Sequence, residues 1–200
     1  MYKLSVYEKA MPGHIGWKEK LTAAKEAGYD GVELSVDESD ERLSRLDWSA
    51  AQRLDLLRAS RETGVRLPSL CLSGHRRYPL GSRDPETVRR GMAILEKAVR
   101  LAGDLGIRLI QLAGYDVYYE PSAPDTAARF AENLQHAVSI AAADGVTLGF
   151  ETMETPFMNT TKKAMTHIRR VKSPSLQLYP DIGNITNAVP DAVRDLQSGR

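Results

Sequence analysis

Apolar and polar positions along the chain repeat in a unit of about 40 residues. Four of these units begin with a glycine and a mostly apolar, strand-like run: "GYDGVELS" from Gly28, "GVRLPSLCLS" from Gly64, "GIRLIQLAG" from Gly106 and "GVTLGFE" from Gly145. Each glycine follows a helical pattern, at the position where a left-handed backbone is favoured just past the last turn. The period and these boundaries predict a series of β/α units.

The helical segments between these runs have recognisable starts. Ser49 with Gln52 is a capping box, and Asp84 before Pro85 is a helix cap followed by proline in the first helical position. The helix that begins there shows one apolar stripe, which predicts its buried face: Val88, Met92, Leu95, Val99 and Ala102.

Six strands are predicted, at residues 3–7, 31–35, 66–72, 107–112, 146–151 and 176–179. Five helices join them, and a sixth is possible near Pro190. One helix is predicted to begin at Asp125 or Thr126, with an inward face of Phe130, Leu134, Ala137 and Ala141. Residues 35–48 form the longest stretch without a predicted element. The strands are nearly continuous apolar runs, which is typical of a parallel sheet covered on both faces.

Polar and ionisable residues follow every predicted strand: Glu8 and Lys9; Asp37 and Glu38; His75, Arg76 and Arg77; Tyr115 and Asp116; Glu151 and Glu154; Asp181 and Asn184. In a β/α barrel all of these strand ends lie on one face, which carries the active site. An open doubly wound sheet would gather them at a switch point, usually after a glycine-rich first turn. The first turn here, "EKAMPGHIGW", has no G-x-G-x-x-G, and this favours the barrel.

A complete barrel has eight β/α units, whereas this sequence contains six. Its last residues, "DLQSGR", do not resemble a closing strand. We therefore expect one α/β domain over residues 1–200, the first six units of a (β/α)8 TIM barrel without strands seven and eight. Uncovered strand edges and exposed interior surface would make such a chain poorly soluble or self-associating, and inactive by itself.

Composition excludes several classes of protein. With 42% hydrophobic residues over 200, the chain can bury a sizeable core. Lys and Arg number 27 against 26 Asp and Glu, so the basic surplus that drives binding to nucleic acid or anionic membranes is absent. No apolar stretch is long enough for a signal peptide or a spanning helix, which predicts a cytoplasmic protein. The single Cys71 lies in an apolar run and is expected to be a buried, inert thiol.

Two carboxylates stand at the ends of neighbouring predicted strands: Glu151 closes the fifth, and Asp181 follows the sixth. Adjacent carboxylates can share a divalent cation, because hard oxygen ligands suit Mg²⁺ or Mn²⁺, and an added histidine would admit Zn²⁺ or Co²⁺. Structural roles are also open: Glu151 can form an ion pair at the barrel rim, and Asp181 can cap a turn or helix ahead of Gly183.

Four stretches, "VDESDERLSRLDWS", "CLSGHRRYPLGS", "IQLAGYDVYYE" and "LQLYPDIGN", resemble the L-xylulose 5-phosphate (L-ribulose 5-phosphate) 3-epimerases of bacterial L-ascorbate breakdown. The resemblance covers essentially the whole chain and implies an isomerase of the xylose isomerase-like barrels that acts on a pentulose 5-phosphate. It also implies a divalent metal held by a glutamate after strand five, an aspartate after strand six, a histidine after strand seven and a glutamate after strand eight. The first two fall on Glu151, which would also be the catalytic base, and Asp181. A homodimer is implied as well.

The phosphate of such a substrate needs cationic partners. Arg76 and Arg77, beside His75, follow the third strand, and arginine forks suit phosphate; a solvated basic loop is the alternative. The resemblance to ketose epimerases points to Glu154 and Asn159 as partners of sugar hydroxyls. It also places Asn184 at the site, where enzymes acting on unphosphorylated sugars tend to carry histidine. Tyr115, Asp116 and Tyr118 line the pocket or pack the rim.

Two other functions remain open from the sequence. One is an aldose–ketose isomerase of the same superfamily, such as a hexulose 6-phosphate isomerase, which a product assay would separate from an epimerase. The other is a non-catalytic fragment that associates through its open strand edges.

Overall fold

The computed structural model describes residues 2–199 of the chain and contains one sheet of six strands. The strands are β1 (Ser5–Tyr7), β2 (Gly31–Val36), β3 (Leu70–Leu72), β4 (Leu109–Ala113), β5 (Thr147–Glu151) and β6 (Leu176–Tyr179). They pair in chain order, and every pair is parallel. The predicted α/β architecture of consecutive β/α units is therefore confirmed. Strand β3 is shorter than the predicted run 66–72, and only an isolated bridge between Gly31 and Arg66 precedes it.

The helices are α1 (Trp17–Glu26), α2 (Asp40–Leu43), α3 (Ala50–Thr63), α4 (Pro85–Asp104), α5 (Pro124–Ala143), α6 (Thr161–Val171), α7 (Ile182–Ala188) and α8 (Ala192–Gln197). Five of them join the strands as predicted, and α8 corresponds to the helix expected near Pro190. Across residues 2–199, none of the helices has the length and apolar character needed to span a membrane.

Two of the α-helices, α2 and α7, were not predicted as elements. Residues 35–48 contain α2 and a 3₁₀ turn, Ser44–Asp47, and α2 begins where the Ser39 side chain accepts a hydrogen bond from the Arg42 amide. Helix α7 begins directly after Asp181, whose carboxylate caps it. Both helices are too short to show an apolar stripe in the sequence, so a single capping residue is their main signal.

The longer helices begin and end close to the predicted residues. Ser49 and Gln52 form the capping box of α3, and Asp84 caps α4 ahead of Pro85. Helix α5 begins at Pro124 rather than at Asp125 or Thr126, because the Thr126 side chain reaches back to the Ala123 amide from inside the first turn. The four repeat glycines follow helix ends and have the left-handed backbone conformation predicted for them, with φ from 64° to 85°: Gly28, Gly64, Gly106 and Gly145.

The two faces of the sheet differ in chemistry, which corrects the prediction of continuously apolar strands. Side chains that face the helices are apolar and at most 1% exposed: Val32, Leu34, Val36, Leu70, Leu72, Ile110, Leu112, Leu148 and Phe150. Alternate positions face the interior of the sheet and are largely polar: Glu33, Ser35, Cys71, Gln111 and Glu151. The apolar core thus lies between the sheet and the helices, and Cys71 is buried, as predicted.

A contact between β2 and β6 shows that the sheet curls. The Tyr179 hydroxyl lies 3.2 Å from Oε2 of Glu33, although three strands separate β6 from β2 in the sheet. In a flat sheet the two strands would be roughly 19 Å apart, beyond the reach of these side chains. The sheet therefore has the curvature of a barrel, with its polar face inside.

A buried carboxylate ties the first two units together. Glu8, directly after β1, is fully buried and accepts hydrogen bonds from the Ser35 amide at 2.9 Å and from Arg45 at 2.7 Å. Arg42 also binds Glu8, and Lys20 lies 3.9 Å from it. Because a buried charge needs such partners, this cluster fixes the loop after β2 against β1.

Two glycines of α4 test how closely this helix packs against the loop after β3. A Cβ at Gly91 would collide with the Tyr78 carbonyl oxygen, whereas one at Gly103 meets nothing. We expect Gly91→Ala to lower the free energy of unfolding by about 2 kcal/mol, because the loop after β3 must shift. Gly103→Ala should raise it by about 0.5–1 kcal/mol through helix propensity. Chemical denaturation measures both changes, and equal effects would refute the packing described for Gly91.

Candidate active site

A cavity of about 550 Å³ opens at the carboxyl end of the sheet. It is lined by side chains on or just after five of the six strands, and by Glu33 from within β2. This convergence follows from parallel pairing, which brings all the strand ends to one edge.

Glu151 and Asp181 both line this cavity, as predicted for side chains at the ends of neighbouring strands. Buried Thr152 connects the two strand ends. Its hydroxyl oxygen accepts a hydrogen bond from the Asp181 amide at 2.9 Å, and its carbonyl oxygen accepts one from the Asn184 side chain at 3.0 Å. Oδ1 of Asp181 accepts a hydrogen bond from the Asn184 amide at 2.9 Å. The alternative prediction that Asp181 caps a helix is therefore confirmed, and its carboxylate faces the cavity as well.

Negative charge is concentrated around Glu151. Burial, together with the neighbouring carboxylates of Asp181, Glu33 and Glu154, raises the pKa of the Glu151 carboxyl to about 8, against an opposing effect from Arg76. A carboxyl with such a pKa exchanges a proton near neutral pH, which general acid–base chemistry requires.

Three side chains donate hydrogen bonds to the acidic groups of the cavity. The Gln111 side-chain amide donates a hydrogen bond to Oε2 of Glu151. Oε2 of Glu33 accepts hydrogen bonds from the Ser69 hydroxyl at 2.5 Å and from the Tyr179 hydroxyl. These bonds fix the floor and one wall of the cavity.

Arg76 and Lys9 are the cations among the residues that line the cavity. The Arg76 guanidinium lies over the Tyr118 ring, 4.6 Å from its centroid, and 3.9 Å from the Glu38 carboxylate. Lys9 pairs with Asp37. The positive charge thus comes from the loops after β1 and β3, and the carboxylates of Glu151 and Asp181 from the ends of β5 and β6.

His75 does not reach the cavity, which corrects the prediction that it binds substrate. It is 3% exposed, and its Nε2 lies 3.0 Å from the Gly91 carbonyl oxygen under α4. Burial lowers the pKa of His75 to about 4, so the ring is neutral at physiological pH. A 3₁₀ turn directly after β3, Ser73–Arg76, rotates His75 into the helical layer while Arg76 stays at the cavity.

Two more predicted substrate-binding residues also lie elsewhere. Arg77 is exposed and pairs with Asp40 at 2.8 Å, which agrees with the alternative of a solvated basic loop. Asn159 accepts a hydrogen bond from Lys163 at 2.7 Å and does not line the cavity. Glu154 and Asn184 do line it, and their roles toward substrate stay predictions.

Sequence reasoning missed six residues of the cavity wall that lie on the strands themselves: Tyr7, Glu33, Cys71, Gln111, Ala113 and Tyr179. Their signal is the alternation of polar and apolar residues within "GVELSV" and "LIQLA", which the reading of these runs as continuously apolar obscured.

The fit of a divalent cation to this site is partial. Glu151 and Asp181 offer the hard oxygen donors that such cations prefer, and the crowding of carboxylates favours a positive charge there. Within residues 2–199, however, no three His, Cys, Asp or Glu side chains group closely enough to hold a metal. The described residues therefore offer a cation two carboxylates, those of Glu151 and Asp181.

Comparison with known proteins agrees with this fold and cavity. The family described as "Xylose isomerase-like TIM barrel" matches residues 21–198. L-ribulose-5-phosphate 3-epimerase UlaE of Salmonella heidelberg (strain SL476) is 52% identical over 196 residues, which cover 98% of this chain and 69% of that protein.

Solved structures with low sequence identity share the fold. A D-psicose 3-epimerase crystallised in the presence of D-fructose superposes with a TM-score of 0.85 at 15% identity, over 99% of this chain and 70% of that one. A xylose isomerase-like TIM barrel protein from Mycobacterium smegmatis, in complex with magnesium, has a TM-score of 0.68 at 16% identity, over 92% and 68%. Given the family match and the identity to the Salmonella protein, the chain belongs to the L-ribulose-5-phosphate 3-epimerase family of the xylose isomerase-like TIM barrels.

Proposed function

We propose that this chain belongs to a metal-dependent isomerase that interconverts L-xylulose 5-phosphate and L-ribulose 5-phosphate by epimerisation at C3. The observation that carries the proposal is Glu151, a buried carboxyl with a raised pKa beside Asp181 in the cavity of an epimerase-family barrel. The same family membership supports a cytoplasmic homodimer and a place in L-ascorbate breakdown.

Glu151 is suited to move the C3 proton. Its carboxylate accepts the proton from C3, the electron pair of the C–H bond forms a C2–C3 double bond, and the C2 carbonyl oxygen takes up the negative charge. The intermediate is a planar enediolate. Return of a proton to the opposite face of C3 gives the epimer, so inversion requires a second acid across the substrate from Glu151.

Glu151 and Asp181 are also the residues that would hold the divalent cation: magnesium, manganese, zinc or cobalt. When bound, the cation would supply positive charge that stabilises the developing oxyanion. The protein's own contribution is to keep both carboxylates at the cavity through Thr152 and the first turn of α7. Further donors are needed beyond those that residues 2–199 group together.

The cations of the cavity support a phosphorylated substrate. Arg76 presents a guanidinium at the wall, and its Nε is buried without a hydrogen-bond partner within residues 2–199. Lys9 adds a second positive charge. We propose that these two side chains bind the 5-phosphate, which would direct the reacting end of the sugar toward Glu151.

A chimera tests the activity. We compare the 200-residue chain with the same chain joined to the part of the Salmonella protein that it does not cover, each with Mn²⁺. The chain alone should show no interconversion, because inversion needs a second acid, and the chimera should be active. Product chromatography measures both. Formation of an aldose would indicate a sugar isomerase instead, and a metal-loaded but inactive chimera would contradict the proposal.

Replacing Glu151 should change how the stability of the chain depends on pH. Since its folded pKa, about 8, exceeds the unfolded value of about 4.3, the unfolded state loses its proton first and stability falls as pH rises between these values. Glu151→Gln cannot ionise, so it should match the unsubstituted chain near pH 4 and exceed it at pH 8 by on the order of 4 kcal/mol. Denaturant titrations at several pH values measure this.

The control for this experiment is Glu154→Gln. Glu154 is exposed in the loop after β5, so its replacement should give a much smaller gain in stability at pH 8. Added Mn²⁺ should stabilise the unsubstituted chain and not Glu151→Gln, because the cation binds the folded, ionised site. A gain that does not vary with pH would refute the burial of Glu151.

Substitutions at Asp181 separate helix capping from metal binding. Asparagine caps a helix as well as aspartate, so Asp181→Asn should keep the stability of the chain, whereas Asp181→Ala should lose about 1 kcal/mol. Both lack the carboxylate and should bind Mn²⁺ more weakly, by at least tenfold. Calorimetry of Mn²⁺ binding beside thermal unfolding measures the two effects. Unchanged Mn²⁺ affinity in Asp181→Asn would remove Asp181 from the ligand set.

A further inference from the structure

A buried amide faces the cavity from the middle of β4. Gln111 is 3% exposed and lines the cavity wall. Its register partners are Cys71 on β3 and Gly149 on β5. Glu151 lies two residues beyond Gly149 on β5, so its side chain faces the same side of the sheet as that of Gln111, and the two meet there.

The nitrogen and the oxygen of this amide differ in their hydrogen bonding. The nitrogen donates to Oε2 of Glu151, while Oε1 of Gln111 is buried and has no hydrogen-bond partner among the described residues. The nitrogen is the donor end of the amide, so it faces the Glu151 oxygen that accepts the bond. Leaving a buried acceptor without a hydrogen bond destabilises the folded protein. A partner supplied by the ligand would remove this cost.

We propose that Gln111 recognises the substrate. Its Oε1 accepts a hydrogen bond from the C4 hydroxyl of the pentulose phosphate, while its side-chain nitrogen holds Glu151 in place. This rests on the proposed function. The C4 hydroxyl is chosen by chemistry. Glu151 works at C3, whose hydroxyl changes configuration in the reaction, and C2 is a carbonyl and offers no donor. C4 is therefore the neighbouring carbon whose hydroxyl keeps its configuration throughout and can stay bonded to a group next to Glu151.

Gln111 thereby couples recognition to the position of the base. A ketose phosphate without the C4 hydroxyl would leave Oε1 unsatisfied inside the complex, and a site built to pair a hydroxyl rejects an analogue that lacks it. Gln111 is a positioning residue toward Glu151 and a specificity-determining residue toward the substrate.

The test uses Gln111→Met, which has a similar length and no hydrogen-bonding amide. Dissociation constants are measured for L-ribulose 5-phosphate and its 4-deoxy analogue, without metal and with Mn²⁺, in whichever form of the protein turns over, the chain or the chimera. In the unsubstituted protein the analogue should bind at least tenfold more weakly. In Gln111→Met the two compounds should bind equally, and kcat should also fall because Glu151 is no longer held.

The matched control is Gln177→Met, the same exchange on β6, where the side chain is exposed and donates to the Pro174 carbonyl oxygen at 2.9 Å. Gln177→Met should still bind the 4-deoxy analogue at least tenfold more weakly than L-ribulose 5-phosphate. Gln111→Asn, whose amide is too short to make either contact, gives the same measurement if Gln111→Met does not fold. An unchanged ratio of the two dissociation constants would overturn the role of Gln111 even in an active epimerase. Failure of the unsubstituted protein to bind either compound would overturn the proposed function, and this inference with it.

Discussion

Parallel pairing of six consecutive strands, in a sheet that curls on itself, is the constraint on which the rest of this structure depends. Parallel pairing brings every strand end to the same edge, and curling brings strands together that are far apart in the sheet. The hydrogen bond from Tyr179 on β6 to Glu33 on β2 is the direct sign of this closure. Without it, Glu33 and Glu151 would not share a cavity.

The same closure gives the cavity its electrostatic character. The interior face of the sheet carries carboxylates and an amide where a structural core would carry aliphatic side chains. Burial and mutual repulsion together raise the pKa of Glu151, so the folded protein keeps a proton there that water would remove. Such a site costs stability, and the apolar layer between the sheet and the helices offsets that cost. Opposing demands of this kind are typical of active sites.

The loops that form the rim of the cavity are held in place by hydrogen bonds and ion pairs. Glu8 binds the Ser35 amide and Arg45, and Arg83 in the loop after β3 pairs with Asp125 in the first turn of α5. These contacts leave Arg76 at the wall, where the Tyr118 ring supports its guanidinium. The position of the proposed phosphate-binding side therefore depends on ion pairs outside the cavity.

The sequence alone determined the elements that local chemistry specifies. The repeat glycines, the caps of α3 and α4, the strand order and the location of Glu151 and Asp181 at strand ends all follow from short-range pattern and from the geometry of β/α units. The tertiary structure decided which side chains face inward. His75 and Arg76 are adjacent in the chain, yet a 3₁₀ turn buries one and leaves the other at the cavity. Gln111 and Glu151 are 40 positions apart and meet only because β4 pairs with β5. Contacts of this kind depend on register and curvature, which arise from the packing of the whole chain and leave little trace in any single segment.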